Sequence, residues 1–297
     1  MCMTIYIFMS TGSVQFPKIL HLTCPVGCKD GGKFPYPQWN KCYAAYRSLY
    51  KDYEIRLYDD NDIYQIIEKA FPDDLTKVKR IKIGAVLADV FRYLILYLVG
   101  GVYADLDCYP KQPLTTLFTD CHYHGDATRG HRLYIYPRNL VLVDRRWDSY
   151  LNPCDNCTKI KAPGALAVYK CLGHKFLSQD KQVVVCEEFD LGQDFESQIG
   201  QWFIISKPKH PLFLNCYKAC LKNIRILANL DRGEEGFVKK VMHNSGPQLF
   251  TRQINRLKGQ NAFKTICILP KEFFCLGKAV AATPNTYVKH MFSGSWK

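Results

Sequence analysis

No stretch of this 297-residue sequence stays apolar for the roughly 20 residues that a bilayer crossing needs. The longest apolar run, Val86 to Val102, is interrupted by Asp89 and Arg92, which argues against a membrane span. The opening residues MCMTIYIFM lack the basic start and cleavage segment of a secretory signal, and no anchor is evident at either end. A soluble, cytoplasmic protein is therefore expected, with peripheral membrane contact left open. Linkers rich in Gly or Ser, low-complexity segments and internal repeats are also missing, so a single continuous domain over 1–297 is expected. There is no Walker loop, no Gly-x-Gly-x-x-Gly and no serine nucleophile elbow, which removes the commonest phosphate-cradling loops and one large class of hydrolases.

Hydrophobic residues make up 47% of the chain and charged residues 23%, ordinary values for a folded globular protein. Forty Lys and Arg against 27 Asp and Glu give a net charge of +13, which favours an anionic partner. The basic clusters Arg145-Arg146 and Lys207 with Lys209 read as solvated faces, and nucleic acid is not the expected partner. Fourteen cysteines are scattered from Cys2 to Cys275, a pattern that fits free thiols in a reducing compartment better than a disulfide frame. Cys154 and Cys157 have zinc-like spacing, and Cys121, His122 and His124 could add ligands. The second pair of a zinc ribbon is nonetheless missing.

Strands and helices alternate along the chain. Phe16 to Thr23 reads as a first strand, Pro35 to Tyr50 as a helix, Tyr53 to Asp59 as a second strand, and Asn61 to Phe71 as a helix stopped by Pro72. Further strands are expected at Leu133 to Pro137, Ala165 to Tyr169, Val183 to Phe189, Trp202 to Ser206 and Thr265 to Leu269. Pro211 to Leu227 and Pro247 to Leu257 have helical periodicity. The alternation predicts a mixed α/β domain.

The chemistry concentrates between Gly84 and Pro110, GAVLADVFRYLILYLVGGVYADLDCYP. Asp89 and Arg92 stand three apart on a helix otherwise suited to a core, where charges are costly unless paired or used. They read either as an internal salt bridge or as part of a site. Gly100 and Gly101 permit a sharp turn into a short strand, and Asp105 and Asp107 are expected to project from one face of it. An isolated Asp-x-Asp is ordinarily a solvated turn. Two carboxylates on one face at a strand end suit a hard cation, Mn²⁺ or Mg²⁺, shared with phosphate oxygens. The same carboxylates would also serve a metal-dependent phosphoryl-transfer or nucleic-acid protein, and a catalytically silent sugar-nucleotide or carbohydrate binder would look alike.

The longer pattern Asp89, Arg92-Tyr93, Leu96-Tyr97, Gly100-Gly101-Val102-Tyr103 and Asp105-Leu106-Asp107 resembles the sugar-binding region of the Asp-x-Asp glycosyltransferases, family 32 type. That group includes initiating mannosyltransferases and capsular polysaccharide enzymes and is related to the catalytic domain of large clostridial glucosylating toxins. FPKILHLT at 16–23, His210-Pro211, Gly246-Pro247 and HMFSGSW at 290–296 resemble further landmarks of the family in the same order. The resemblance implies a single GT-A type Rossmann-like domain with a mixed central sheet flanked by helices. Within it, residues 1–15 would be an N-terminal extension, 16–110 the nucleotide-sugar-binding half, and 111–297 the acceptor side with a C-terminal donor-closing segment.

It further implies a retaining, metal-dependent hexosyltransferase that uses a UDP- or GDP-sugar and a glycan, lipid or protein hydroxyl. Asp107 would ligate the metal, with Asp105 and His290 as further metal contacts. Asp105 would also contact the ribose. Asp89 and Arg92 would hold the sugar. His21, Leu22, Thr23, Tyr103, Ala104, Gln201, Ser295 and Trp296 would line the rest of the donor site. Asp89, Arg92, Asp105 and Asp107 are thus the catalytic candidates. Cys24 stands where the family has a base-stacking tryptophan, Gln201 where an asparagine is common, and Ala88 where serine is frequent, so donor identity is not inherited from any one relative. A soluble bacterial, viral or effector-like relative is favoured over a membrane-anchored one.

Overall fold

The computed structural model describes residues 16–29, 33–115, 117, 133–136, 140–144, 157–160, 166–171, 181–189, 198–269, 271–277, 281–282 and 286–292. The first half runs β1 (Ile19–Thr23), α1 (Pro37–Leu49), β2 (Glu54–Tyr58), α2 (Asp60–Ala70), α3 (Pro72–Val78), α4 (Gly84–Leu98), β3 (Gly101–Ala104) and β4 (Cys108–Pro110). Then follow β5 (Leu133–Tyr136), β6 (Leu140–Asp144), β7 (Cys157–Ile160), β8 (Leu166–Cys171), β9 (Val183–Phe189) and β10 (Gln198–Ser206). The last part comprises α5 (Pro211–Lys222), α6 (Ile224–Ala228), α7 (Phe237–Asn244), α8 (Pro247–Arg256), α9 (Asn261–Lys264), β11 (Ile266–Leu269), β12 (Leu276–Gly277) and β13 (Val288–His290).

The central sheet has six strands in the order β11-β9-β10-β3-β1-β2. Only β10 runs against its neighbours, so β1, β3 and β9 end at the same edge. Such a carboxyl edge is where ligands bind in open α/β sheets. Side-chain alternation sorts β3 between two buried clusters. Tyr103 packs with α4, α5 and α8, whereas Val102 and Ala104 pack with Tyr46 of α1 and with Phe203 and Phe274. The mixed α/β expectation holds, with helices on both faces of a mixed sheet.

Two local devices position the site. Asp59 caps α2, accepting from the Asn61 and Asp62 amides, while the Asp62 side chain accepts from the Asp59 amide. At the other end of the unit, α4 passes into β3 through Gly100 (φ 70°) and Gly101 (φ 94°). A Cβ on Gly100 would stand 2.6 Å from the Pro208 nitrogen, and one on Gly101 2.6 Å from the Ile19 carbonyl oxygen. Only glycine satisfies both the left-handed backbone and the close approach.

The structure corrects several expectations. Pro72 ends α2 but also opens α3 at its first turn, where its missing N–H costs nothing. The helix expected over Pro211 to Leu227 is divided at Asn223. Asp105 and Asp107 do not lie on a strand face. The strand stops at Ala104, and the pair sits in the turn before β4, closed by a hydrogen bond from the Cys108 amide to the Asp105 carbonyl. Apart from the central sheet, β12-β13-β4 form a three-stranded sheet and β5-β6-β8-β7 a four-stranded one. Among the described residues no helix is long and apolar enough to cross a membrane. The described cysteines Cys24, Cys28, Cys42, Cys108, Cys186, Cys216, Cys220, Cys267 and Cys275 carry thiols and form no disulfide. Cys121, His122, His124 and Cys154 lie outside the described residues, as does the side chain of Cys157.

Candidate active site

A buried polar network fills the space between α4 and the edge of β3 and β10. Arg92 is 3% exposed, and its Nη2 donates to Asp105 Oδ1 at 2.9 Å and forms an ion pair with Asp89 Oδ1 at 3.0 Å. Nη1 donates to the Gln201 carbonyl oxygen at 3.0 Å, and the guanidinium lies 4.8 Å from the Tyr103 ring centroid. Asp89 also accepts from Gln201 Nε2 at 2.9 Å and from Ser245 Oγ at 2.7 Å, so both of its oxygens are engaged. Burial pushes the Asp89 carboxyl up to about 6, against the pull of Arg92, Ser245 and Gln201, which leaves it ionised at neutral pH. The Tyr93 hydroxyl lies against the Gln201 side-chain oxygen and donates to the Ser245 carbonyl at 2.9 Å.

Asp105 is the open end of this network, its side chain 29% exposed against 7% for Asp89. Tyr103 donates to Asp105 Oδ1 at 3.0 Å, which leaves the Tyr103 oxygen to accept from Thr23 Oγ1 at 3.3 Å. Burial raises the Asp105 carboxyl, and Arg92 opposes the shift. Pairing of Asp89 with Arg92 and use of that pair in a site were alternatives in the sequence. In the structure the pair is an internal salt bridge that Arg92 extends to the half-buried Asp105.

Asp107 meets a residue 183 positions away. β13 pairs antiparallel with β4, placing His290 opposite Cys108, and the Met291 amide donates to the Asp107 carbonyl at 2.9 Å. His290 Nε2 then lies 3.2 Å from Asp107 Oδ1. The imidazole is stacked on Trp202, with centroids 4.4 Å apart and planes at 15°, and the Phe292 ring centroid lies 4.0 Å from it, edge-on to Trp202. Asp107, Cys108 and His290 form a group whose ligand atoms all lie within 4.8 Å of one another, and Asp105 stands outside that group.

The residues fit a divalent cation. A carboxylate oxygen and an imidazole nitrogen converge, and His290 Nδ1 is buried without a hydrogen-bond partner. Cys108 is a poorer ligand, because its thiol donates to the Trp202 carbonyl and burial raises it well above the usual thiol range.

The other expected donor contacts are distributed unevenly. His21, Leu22, Tyr103 and Ala104 are fully buried, and Thr23 is half-buried at the end of β1. His21 Nε2 lies 2.8 Å from the Gly100 carbonyl, which can only accept, so Nε2 carries the proton and Nδ1 accepts from the Tyr58 hydroxyl at 2.9 Å. This neutral imidazole ties β1 to the glycine turn. Cys24 is a core residue, its thiol pushed up to about 12 chiefly by burial. Ser295 and Trp296 lie outside the described residues. Tyr93, Ser245 and Trp202 were not anticipated as site residues. Ser245 immediately precedes the Gly246-Pro247 pair, which was the available signal.

His21 gives a pH-dependent stability. Burial lowers its pKa from 6.5 to about 4, so between these values the unfolded chain binds the extra proton. Its contribution is complete above pH 6.5 and is lost as pH falls toward 4. His210, also lowered to about 4, acts in the same direction, whereas Asp89, raised to about 6, opposes both. Between pH 7 and pH 5 His21 alone accounts for about 2 kcal/mol. Urea unfolding at the two pH values should show His21→Gln losing that much less stability than the wild type. Equal losses would refute the assignment.

Residues 37–123 match the family described as glycosyltransferase sugar-binding region containing DXD motif. The initiation-specific alpha-1,6-mannosyltransferase of Candida albicans is 25% identical over 98% of this chain and 75% of its own length. Inositol phosphoceramide mannosyltransferase 3 of Schizosaccharomyces pombe is 34% identical over 33% of this chain and 26% of its own length. Among solved structures, the ligand-free glycosyltransferase domain of the YGT toxin is 10% identical, with a TM-score of 0.48 over 86% of this chain and 80% of that one.

Proposed function

From a chain that carries the DXD sugar-binding region of the glycosyltransferases, we propose a metal-dependent, retaining hexosyltransferase acting on a nucleoside-diphosphate sugar. The observation that supports it most is the meeting of Asp107 with His290 beside the half-buried Asp105 end of the Asp89–Arg92–Asp105 network. The two curated relatives are named as mannosyltransferases, so mannose is the first hexose to test and UDP- or GDP-linkage the first variable. The acceptor is a hydroxyl of a glycan, lipid or protein. Retention follows from the family likeness, and no carboxylate here is assigned as nucleophile or base.

In this reading Asp107 and His290 hold Mn²⁺ or Mg²⁺, which supplies Lewis acidity toward the departing diphosphate. Asp105, fixed by Arg92 and Tyr103, accepts from donor hydroxyls at the open face. Arg92 offers its guanidinium in a fixed orientation, and Asp89 positions it from behind with Gln201 and Ser245. Asp89 therefore acts through Arg92, because its own oxygens are already bonded. Thr23 and the backbone around Leu22, Tyr103 and Ala104 would form the floor at the strand ends, and Ser295 and Trp296 would donate to the diphosphate.

A thermal-shift and hydrolysis screen of UDP- and GDP-sugars, each with and without Mn²⁺, tests this reading. One donor should raise the unfolding midpoint and release nucleoside diphosphate only with metal present, since a ligand of the native state stabilises by mass action. Stabilisation without any release would reduce the protein to a binder, and no response to any donor would overturn the proposal.

A further inference from the structure

We propose that Asp107, Cys108 and His290 together form a three-ligand site for a thiophilic divalent cation of the Zn²⁺ class, with Cys108 bound as thiolate. The inference rests on one premise of the transferase reading, that Asp107 and His290 hold a cation, and adds that the sulfur decides which cations bind best. A carboxylate oxygen, a thiol sulfur and an imidazole nitrogen lie within 4.8 Å of one another. Tetrahedral bonds of about 2.0–2.3 Å set such ligand atoms roughly 3.5 Å apart, close to the spacing already present. Three protein ligands leave the fourth position of the tetrahedron to water or a phosphate oxygen. Mn²⁺ and Mg²⁺ gain little from sulfur, so for them Cys108 is the poorer ligand, whereas Zn²⁺ and Co²⁺ accept it readily.

The surroundings of Cys108 suit a metal-bound thiolate. Its thiol donates to the Trp202 carbonyl over 3.5 Å, and that carbonyl also accepts from the Asp105 amide at 2.9 Å, so loss of the thiol proton orphans no acceptor. Cys42, Tyr46 and Tyr50 recur every four residues along α1 and its C-cap, and α1 packs against β4. Tyr46 and Tyr50 are 0% and 1% exposed, and neither hydroxyl has a hydrogen-bond partner. Both belong to the same buried cluster as Cys108, whose sulfur adds to the effect of burial in raising each phenol. Buried donors without an acceptor are costly, and an anionic sulfur beside them offers one. His290 Nδ1 is a further buried atom with no partner. A cation at the trio would be the largest local charge, enough to displace the thiol proton to solvent against the pull of burial. Cys42 lies in the same stripe but outside the trio, which makes it the control thiol.

The test uses metal-stripped wild-type protein and the variants Cys108→Ser, Cys108→Ala, Asp107→Asn and Cys42→Ser, with unfolding midpoints in chelator-containing buffer to establish that each is folded. Co²⁺ is the probe, because a cobalt–thiolate bond gives a charge-transfer band that oxygen and nitrogen ligands do not. The wild type and Cys42→Ser should develop this band, saturating at a single ion per chain and bleached by Zn²⁺. Both Cys108 variants should lack the band and lose Zn²⁺ affinity by more than the roughly 10–100-fold that altering a ligand's hydrogen-bonded neighbour costs. Mn²⁺, followed by electron paramagnetic resonance, should bind them as it binds the wild type. Asp107→Asn keeps the thiol and should weaken both ions, which preserves the test if a change at buried Cys108 prevents folding.

Mn²⁺ binding without a charge-transfer band in the wild type overturns the proposal. So does a band that survives in Cys108→Ser or disappears in Cys42→Ser. A cobalt band in a protein that responds to no sugar nucleotide upholds this site and removes the transferase reading, whereas Mn²⁺-dependent turnover without the band does the reverse.

Discussion

Asp107→Asn is expected to give a folded protein that has lost metal-dependent transfer and donor hydrolysis. The substitution keeps the size of the side chain and an oxygen that can face His290 Nε2, and the turn is fixed by backbone bonds that do not involve the carboxylate. The chemistry is more sensitive. A carboxylate neutralises a divalent cation that an amide binds weakly, and the charge stabilisation given to a departing diphosphate is worth several kcal/mol, or on the order of 10³-fold in rate. Mn²⁺ binding followed by electron paramagnetic resonance should weaken in parallel, with the unfolding midpoint in metal-free buffer unchanged. Turnover at the wild-type rate with saturating Mn²⁺ would remove Asp107 from the site.

Much of the site was legible because its residues lie in one stretch with strong local constraints. The helical period placed Asp89 and Arg92 on one face, and the double glycine marked the turn into β3. The sequence did not reveal where the carboxylates stop belonging to the strand, since β3 ends at Ala104 only because Asp105 enters a turn fixed by the Cys108 and Trp202 backbones. Gln201 bonds Asp89 and Tyr93 from β10, its contact with Asp89 spanning 112 residues that no periodicity signals. β12 and β13, of two and three residues, are defined by pairing with β4 rather than by any pattern of their own. The same pairing carries His290 to Asp107, a meeting that the family resemblance implied and that no local pattern signals.

Arg92→Met should be the most destabilising single change in the network. Arg92 is the one cation between Asp89 and Asp105, and it is almost completely buried. Methionine fills much of its volume but leaves Asp89 as a buried carboxylate with only Gln201 and Ser245 as donors. Removing one partner of a buried pair typically costs about 3–5 kcal/mol, most of it from the charge left behind. For a chain of this size that is roughly a 10 °C fall in the unfolding midpoint. If the stranded charge is the cause, neutralising it should help. Asp89→Asn in the Arg92→Met background should therefore recover about 1–3 kcal/mol, a coupling of the size found for contacting groups. Additive losses in urea unfolding would show that Arg92 contributes by packing against Tyr103 and not by holding two carboxylates together. Arg92→Lys separates stability from function. Its ammonium preserves the charge, so the protein should stay folded, yet it cannot span Asp89, Asp105 and the Gln201 carbonyl at once, and donor hydrolysis should fall while stability is largely kept.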